Sequence, residues 1–300
     1  MESRGSVADP LSIGIVQMRC GADREGNLKR AVGFMEDAAA EGAKLVCFQE
    51  LFLSRYFCQT QSEETFELAE PFPGELSDLL SGHAKRLGIV LIVPYFEKRA
   101  PGVFHNSAFV IDADGTVLGN YRKMHIPDDP GFNEKYYFTP GDQGFAVWDT
   151  AVGRVSVLIC WDQWFPEAAR LAALGGAEFL FYPTAIGWLP SEEKSVAEAQ
   201  FDAWRTVQRS HAIANGCFVA AVNRVGFEEC EGREGIRFWG GSFVVGPDGV
   251  LLGELNREEE RGLVVEIDRG AIEQSRVEWP FFRDRRVDAY AEIGRRYCGD

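Results

Sequence analysis

Three hundred residues, 46% of them hydrophobic and 12% aromatic, with 32 glycines and 13 prolines, exclude collagen, a coiled coil, a disulfide miniprotein and a disordered chain. The formal charge of −15, from 31 basic and 46 acidic residues, repels phosphate backbones, so no nucleic-acid partner is expected. The length suits one large α/β domain or two smaller ones.

The apolar run at 11–17 predicts a strand, followed by a helical face of Leu28, Val32, Met35 and Ala39 that Gly42 ends. A short buried strand at 45–48 delivers Gln49 and Glu50 at its C-terminal end. A second helical face, Leu76, Leu79, Leu80, Ala84 and Leu87, stops at Gly88 and leads into a strand over 89–96. Strand-like runs at 106–111 and 116–121 flank Asp112-Ala113-Asp114-Gly115, which predicts a hairpin.

The second half repeats this order. It reads as a strand over 154–159, a helix from Pro166 to Leu174, a strand over 178–182, a longer helix carrying Phe201, Trp204, Val207, Gln208 and His211, a strand over 217–222, and a hairpin turning at Pro247-Asp248-Gly249. The halves share text as well. EGAKLVCFQ at 41–49 resembles GGAEFLFYP at 175–183, and NSAFVIDADGTVLG at 106–119 resembles GSFVVGPDGVLLG at 241–253. Two similar halves without a linker-like spacer predict two sheets packed face to face with helices outside: a four-layer αββα sandwich, internally pseudo-duplicated. The expected domain is single and spans 1–300, with a core over about 11–270.

No stretch holds the roughly 18 uninterrupted apolar residues of a membrane span, and the opening MESRGSVADP lacks a basic segment followed by an apolar run. A soluble, cytoplasmic protein without a membrane partner is expected. Seven cysteines without CxxC or Cys/His ligand spacing suit a reducing compartment rather than a disulfide framework or a zinc site.

Three residues stand at strand ends. Cys160 follows the apolar run RVSVLI and precedes the helix at Pro166, so it sits on a strand-to-helix turn, which exposes a nucleophile and gathers backbone N–H groups. The alternative is a small buried hydrophobe. Glu50, emerging from buried VCF, is either a partnered functional carboxylate or an ordinary loop glutamate. Lys123, in YRKMHIPD, is alone a solvated strand-end charge. Together they form a chemical set: a thiol, a carboxylate to take its proton, and an ammonium to bind developing negative charge.

FQELF around Glu50, YRKMHIP around Lys123 and LICWDQWFPEAARLAALGGAE around Cys160 resemble the three signature regions of the nitrilase superfamily of carbon–nitrogen hydrolases. Within it, YRKMHIPDDPGFNEKYYFTPGDQGF, ICWDQWFPEAAR, FYPTAIG and FFRDRR resemble the N-carbamoylputrescine amidase branch, from about Leu11 to Tyr290. The resemblance implies Glu50 as general base, Lys123 as oxyanion-stabilising cation, Cys160 as nucleophile, and Glu134 as a further glutamate that positions substrate or helps proton transfer. It implies the same αββα fold. It also implies a small N-carbamoyl amine or amide substrate, no organic cofactor and no metal. The alternatives left open are an ω-amidase-like or β-ureidopropionase-like hydrolase and a silent scaffold.

Substrate contacts are expected from Trp161, whose N–H follows the nucleophile, and from Gln163 and Trp164, which stand where relatives acting on N-carbamoyl amino acids place arginines. His125 is expected to brace Glu134 or Lys123. Trp188 borders a departure from the branch pattern, WLPSEEKSVAEAQFDAW, in which Glu192 or Glu193 is either a carboxylate for a distal ammonium or plain surface charge. The tail over 271–300, with WPFFRDRR, resembles the family segment that crosses to a neighbouring subunit, so a homo-oligomer, dimer or larger, is expected.

Overall fold

The computed structural model describes residues 11–299; the opening segment MESRGSVADP lies outside them. The first half runs β1 (Leu11–Gln17), α1 (Arg24–Ala40), β2 (Leu45–Phe48), α2 (Glu75–Leu87), β3 (Val90–Ala100), β4 (Val103–Ile111) and β5 (Val117–Arg122). Asp23 caps α1 by accepting from the Glu25 N–H, and Gly88, at φ +64, ends α2 in the left-handed conformation that favours glycine. The helical crossovers make β1, β2 and β3 parallel.

A short α3 (Glu134–Tyr137) and β6 (Trp148–Thr150) lead into β7 (Gly153–Val157), α4 (Pro166–Leu174), β8 (Phe179–Thr184), β9 (Gly187–Trp188) and α5 (Lys194–Asn215). The chain continues through β10 (Phe218–Asn223), β11 (Val225–Glu228), β12 (Ile236–Trp239), β13 (Phe243–Val245), β14 (Leu251–Glu254), β15 (Arg261–Ile267) and α6 (Gly270–Glu278). One six-stranded sheet has the order β15-β1-β2-β3-β4-β5, the other β14-β13-β10-β8-β7-β6. Read from β6, the second order repeats the first strand for strand. The last strand of each half joins the other half's sheet: β6 pairs with β7, and β15 returns to pair antiparallel with β1.

Alternation explains the layers. Ile13, Ile15, Leu45, Cys47, Val90 and Ile92 enter one core with Val155, Val157, Phe179 and Phe181 of the facing sheet. Their neighbours Val46, Phe48, Leu91 and Val93 point the other way, onto Ala31, Met35 and Ala38 of α1 and Leu76, Leu80 and Ala84 of α2. Strands covered on both faces read as unbroken apolar runs, which is why they were legible. The result is a four-layer αββα sandwich.

Several elements depart from expectation. Leu79 is exposed, because the buried row of α2 is Leu76, Leu80 and Ala84. Strand β3 continues through Glu97, Lys98 and Arg99 to Ala100, since Glu97 is buried against Arg122 instead of ending the strand. A third, three-stranded sheet, β11-β12-β9, lies outside the repeat. Among the described residues no helix is long and apolar enough to cross a membrane.

Candidate active site

The apolar run of β7 ends at Ile159, and the chain enters a 3-10 turn over Cys160–Trp164 before Pro166 opens α4. Cys160 adopts φ +44, a backbone conformation that costs a non-glycine residue about 1–3 kcal/mol unless its surroundings over-determine it. Two side chains of the turn do so. Asp162 Oδ2 accepts from the Ile159 N–H at 2.9 Å and the Tyr121 hydroxyl at 2.6 Å, while Oδ1 accepts from His125 through N–H and Nδ1. Gln163 Oε1 accepts from Trp204 Nε1 and Gln208 Nε2, each at 2.8 Å, and its carbonyl accepts from His211 Nε2 at 2.7 Å. The turn is thereby tied to β5 on one side and α5 on the other.

The structure brings the four expected catalytic side chains together. Lys123, just past β5, is fully buried with Glu50, two residues past β2, and Glu134, the first residue of α3. The Lys123 ammonium donates to Glu50 Oε1 at 2.8 Å and Glu134 Oε2 at 2.7 Å, leaving one N–H for a third acceptor. Asn106 Nδ2 donates to Glu50 Oε1 at 2.7 Å, and the Tyr56 hydroxyl to Glu134 Oε1 at 2.7 Å. Glu50 Oε2 is buried and has no hydrogen-bond partner among the described residues. A carboxylate oxygen so placed is an open proton acceptor.

Electrostatics follow from that packing. Burial first, then the charge of Glu50, raises the Cys160 thiol well above its ordinary value, against the pull of Lys123. Burial and Glu50 also raise the Glu134 carboxyl, while Lys123 opposes them. Burial alone would depress Lys123, but Glu134 and Glu50 hold it well above the usual lysine range. Cys160 is therefore favoured as the thiol, beside a Lys123 favoured as the ammonium.

Cys160 and Glu134 open on a cavity of about 380 Å³, walled by Trp161, Trp164, Phe132, Ile186, Leu189 and Trp239. Its remaining ionisable walls are Asp129 and Glu192, and no lysine or arginine lines it among the described residues. Glu192 is held in place by the Leu189 N–H at 2.9 Å and the Gln200 amide at 3.0 Å.

Of the five expected substrate contacts, Trp161 and Trp164 line the cavity and three residues do not. Gln163 is turned away beneath the turn, fully buried against α5. His125 braces Asp162, not Glu134 or Lys123, and stacks on Phe165 at 3.7 Å between centroids. Trp188 faces a neighbouring cleft, where the Arg257 guanidinium lies 4.6 Å over its ring. In each case a partner from a distant element sets the side chain's direction, which spacing does not encode. The same limit hid Tyr56 and Asn106; their only sequence signals are six residues' separation from Glu50 and a polar residue inside the apolar run of β4. Glu192 lines the cavity, and Glu193 is exposed at the start of α5. Among the described residues no group of three or more His, Cys, Asp or Glu side chains is arranged to hold a metal ion.

Comparison with known proteins agrees with this geometry. The family model for carbon–nitrogen hydrolase matches residues 12–277. The N-carbamoylputrescine amidase of Solanum lycopersicum is 45% identical over 284 residues, 93% of each chain. The citrullinase of Francisella tularensis is 40% identical over 288 residues, 96% of this chain and 99% of that protein. The crystal structure of a carbon–nitrogen hydrolase from Helicobacter pylori superposes with a TM-score of 0.93 at 44% identity, over 96% of this chain and all of that one.

Proposed function

The chain belongs to the carbon–nitrogen hydrolase family, and from that premise we propose that it cleaves the carbamoyl C–N bond of a small N-carbamoyl amine, N-carbamoylputrescine, through a thioester on Cys160. The observation that carries the substrate is the charge of the cavity wall. Asp129 and Glu192 are acidic, and no lysine or arginine lines the cavity with them among the described residues. A distal ammonium gains a partner there, and the carboxylate of a substrate such as citrulline finds none.

Glu50 Oε2 takes the thiol proton as Sγ attacks the carbamoyl carbon. The oxygen of the tetrahedral intermediate receives the remaining N–H of Lys123 and the backbone N–H of Trp161, which has no acceptor within its own turn. Collapse breaks one C–N bond, and Glu50 returns the proton to the departing nitrogen. Water, deprotonated by the same carboxylate, attacks the thioester and restores the thiol. The carbamate released decomposes, so the products are putrescine, carbon dioxide and ammonia. Glu134, bonded to both Lys123 and Tyr56, fixes the ammonium between the two acids.

The protein acts as a homo-oligomer joined through its C-terminal segment, where Trp279, Ile293 and Tyr297 are 60%, 69% and 78% exposed. Its cysteines are free, five of them buried, which suits the cytoplasm.

Ammonia release from N-carbamoylputrescine, N-butylurea and citrulline tests the assignment. A charge-assisted hydrogen bond of about 1.5–3 kcal/mol predicts a kcat/KM for N-carbamoylputrescine roughly 10- to 100-fold above that for N-butylurea, and no turnover by Cys160→Ala. Preference for N-butylurea or citrulline overturns the substrate. The same preparation sediments as a particle heavier than one chain; a monomer overturns the assembly.

A further inference from the structure

We propose that Arg224 is a positioning residue for this reaction: one buried guanidinium sets the backbone of Glu50 directly and the carboxylate of Glu134 through Glu228 and Tyr56. The role rests on the proposed reading of Glu50 as the base.

Arg224 follows β10 and is fully buried. A cation in that position demands acceptors, and it finds four. Nη2 donates to the carbonyls of Glu50 at 3.2 Å and Leu51 at 2.8 Å, and Nη1 to the carbonyl of Ser54 at 3.0 Å and to Glu228 Oε1 at 2.6 Å. Three carbonyls within five residues thus turn toward one point. The loop carries the strain of that arrangement: Leu51 has φ +50, a conformation leucine keeps only where its surroundings compel it.

The other arm runs through Glu228, whose Oε2 accepts from the Tyr56 N–H at 2.6 Å. Tyr56 in turn donates its hydroxyl to Glu134, and Glu134 and Glu50 share Lys123. The contacts close into a ring from Arg224 back to Glu50. A planar fork with donors in fixed directions fits this set of acceptors, and an ammonium, a point charge, does not. Of the ring's residues only Glu134 lines the cavity, beside Cys160, so the ring bears on the chemical step more than on substrate affinity.

Arg224→Lys keeps the charge that Glu228 needs and removes the fork; Glu228→Gln keeps the shape but removes the counter-charge of Arg224 and one of the two acceptor oxygens, so it weakens the whole arm from Arg224 through Glu228 to Tyr56 while the carbonyl contacts of Arg224 remain. Three measurements on each decide the role: the melting temperature, kcat and KM with N-carbamoylputrescine, and the pH midpoint of Cys160 alkylation by iodoacetamide. For folded Arg224→Lys we expect kcat about 100-fold lower, the effect of an ångström-scale misplacement, with KM within about twofold. The alkylation midpoint falls, because Glu50 raises the thiol and a displaced Glu50 raises it less. Glu228→Gln lowers kcat roughly tenfold at unchanged KM. Parental kcat and midpoint in folded Arg224→Lys overturn the proposal; should that variant not fold, parental kcat in Glu228→Gln does so. If the parent does not hydrolyse N-carbamoylputrescine, the substrate reading falls while the alkylation midpoint of Arg224→Lys still decides the positioning role.

Discussion

Cys160, the proposed nucleophile, has surroundings that oppose its ionisation. Burial and the Glu50 charge outweigh Lys123, the reverse of what an adjacent ammonium by itself implies, so the proposed mechanism has base and nucleophile act in one step. Glu50→Gln separates the two effects. It removes the proton acceptor, and kcat falls by about 10²–10⁴. It also removes a negative charge beside the thiol, so the pH midpoint of Cys160 alkylation moves down, toward the ordinary thiol value. An unchanged or higher midpoint would place the cause of the raised thiol in burial alone. Glu50 and Cys160 end apolar strands, where side chains of an α/β sheet meet a cleft, but position alone left both open and gave Lys123 as a solvated charge where it is fully buried; the three stood out only as a set and through family resemblance. Glu134 was legible only through family resemblance. Gln163 misled because the φ of +44 at Cys160 swings the following residues, and α5, forty residues on, receives the amide that spacing had assigned to substrate.

Strands β3, β4 and β5 are pinned next to Lys123 by a carboxylate that sequence patterning took for the end of a strand. Glu97 Oε2 accepts from Ser107 Oγ on β4 and from Asn120 Nδ2 and Arg122 Nε on β5, and Oε1 accepts from Arg122 Nη2 at 2.6 Å. Burial would raise this carboxyl, but its hydrogen bonds and Arg122 hold it below its ordinary 4.5. A depressed folded-state pKa contributes stability above about pH 4.5 that is lost as pH falls through the folded value. Glu97→Ala leaves Arg122 only the more distant, exposed Asp142, at 3.7 Å, at a cost of about 3 kcal/mol near pH 7. Urea denaturation at pH 7 and again below pH 4 measures both, and the deficit of the variant narrows in acid. A pH-independent deficit would mean that packing, not the ion pair, holds these strands. The parallel strands needed no such contact to be recognised, since cover on both faces writes them as apolar runs. The short β9 and β11, each holding a glycine, and the four-residue β12 carry no comparable period, although β9 and β12 bring Gly187 and Trp239 to the cavity.

At the scale of the whole molecule the repeat was visible as shared text, which falls on β2 and β8 and on the β4–β5 and β13–β14 hairpins. The exchange of β6 and β15 between the sheets was not visible, because three residues of β6 make no pattern and β15 has no textual counterpart. That exchange bears on domain count. Each half lacks the strand that completes its own sheet, and the core between the sheets draws on both. We propose that residues 11–270 therefore unfold as one cooperative unit. All seven tryptophans lie at position 148 or later, so their fluorescence reports β6, which sits in the second sheet, and the second half, while the thiols of Cys20 and Cys47, buried in the first half, report the other. In urea the fluorescence change and the labelling of these two thiols share one midpoint, and a chain ending at residue 260, without β15, loses both signals of the folded state. Two separated midpoints would make the halves independent domains and reduce the exchanged strands to surface additions.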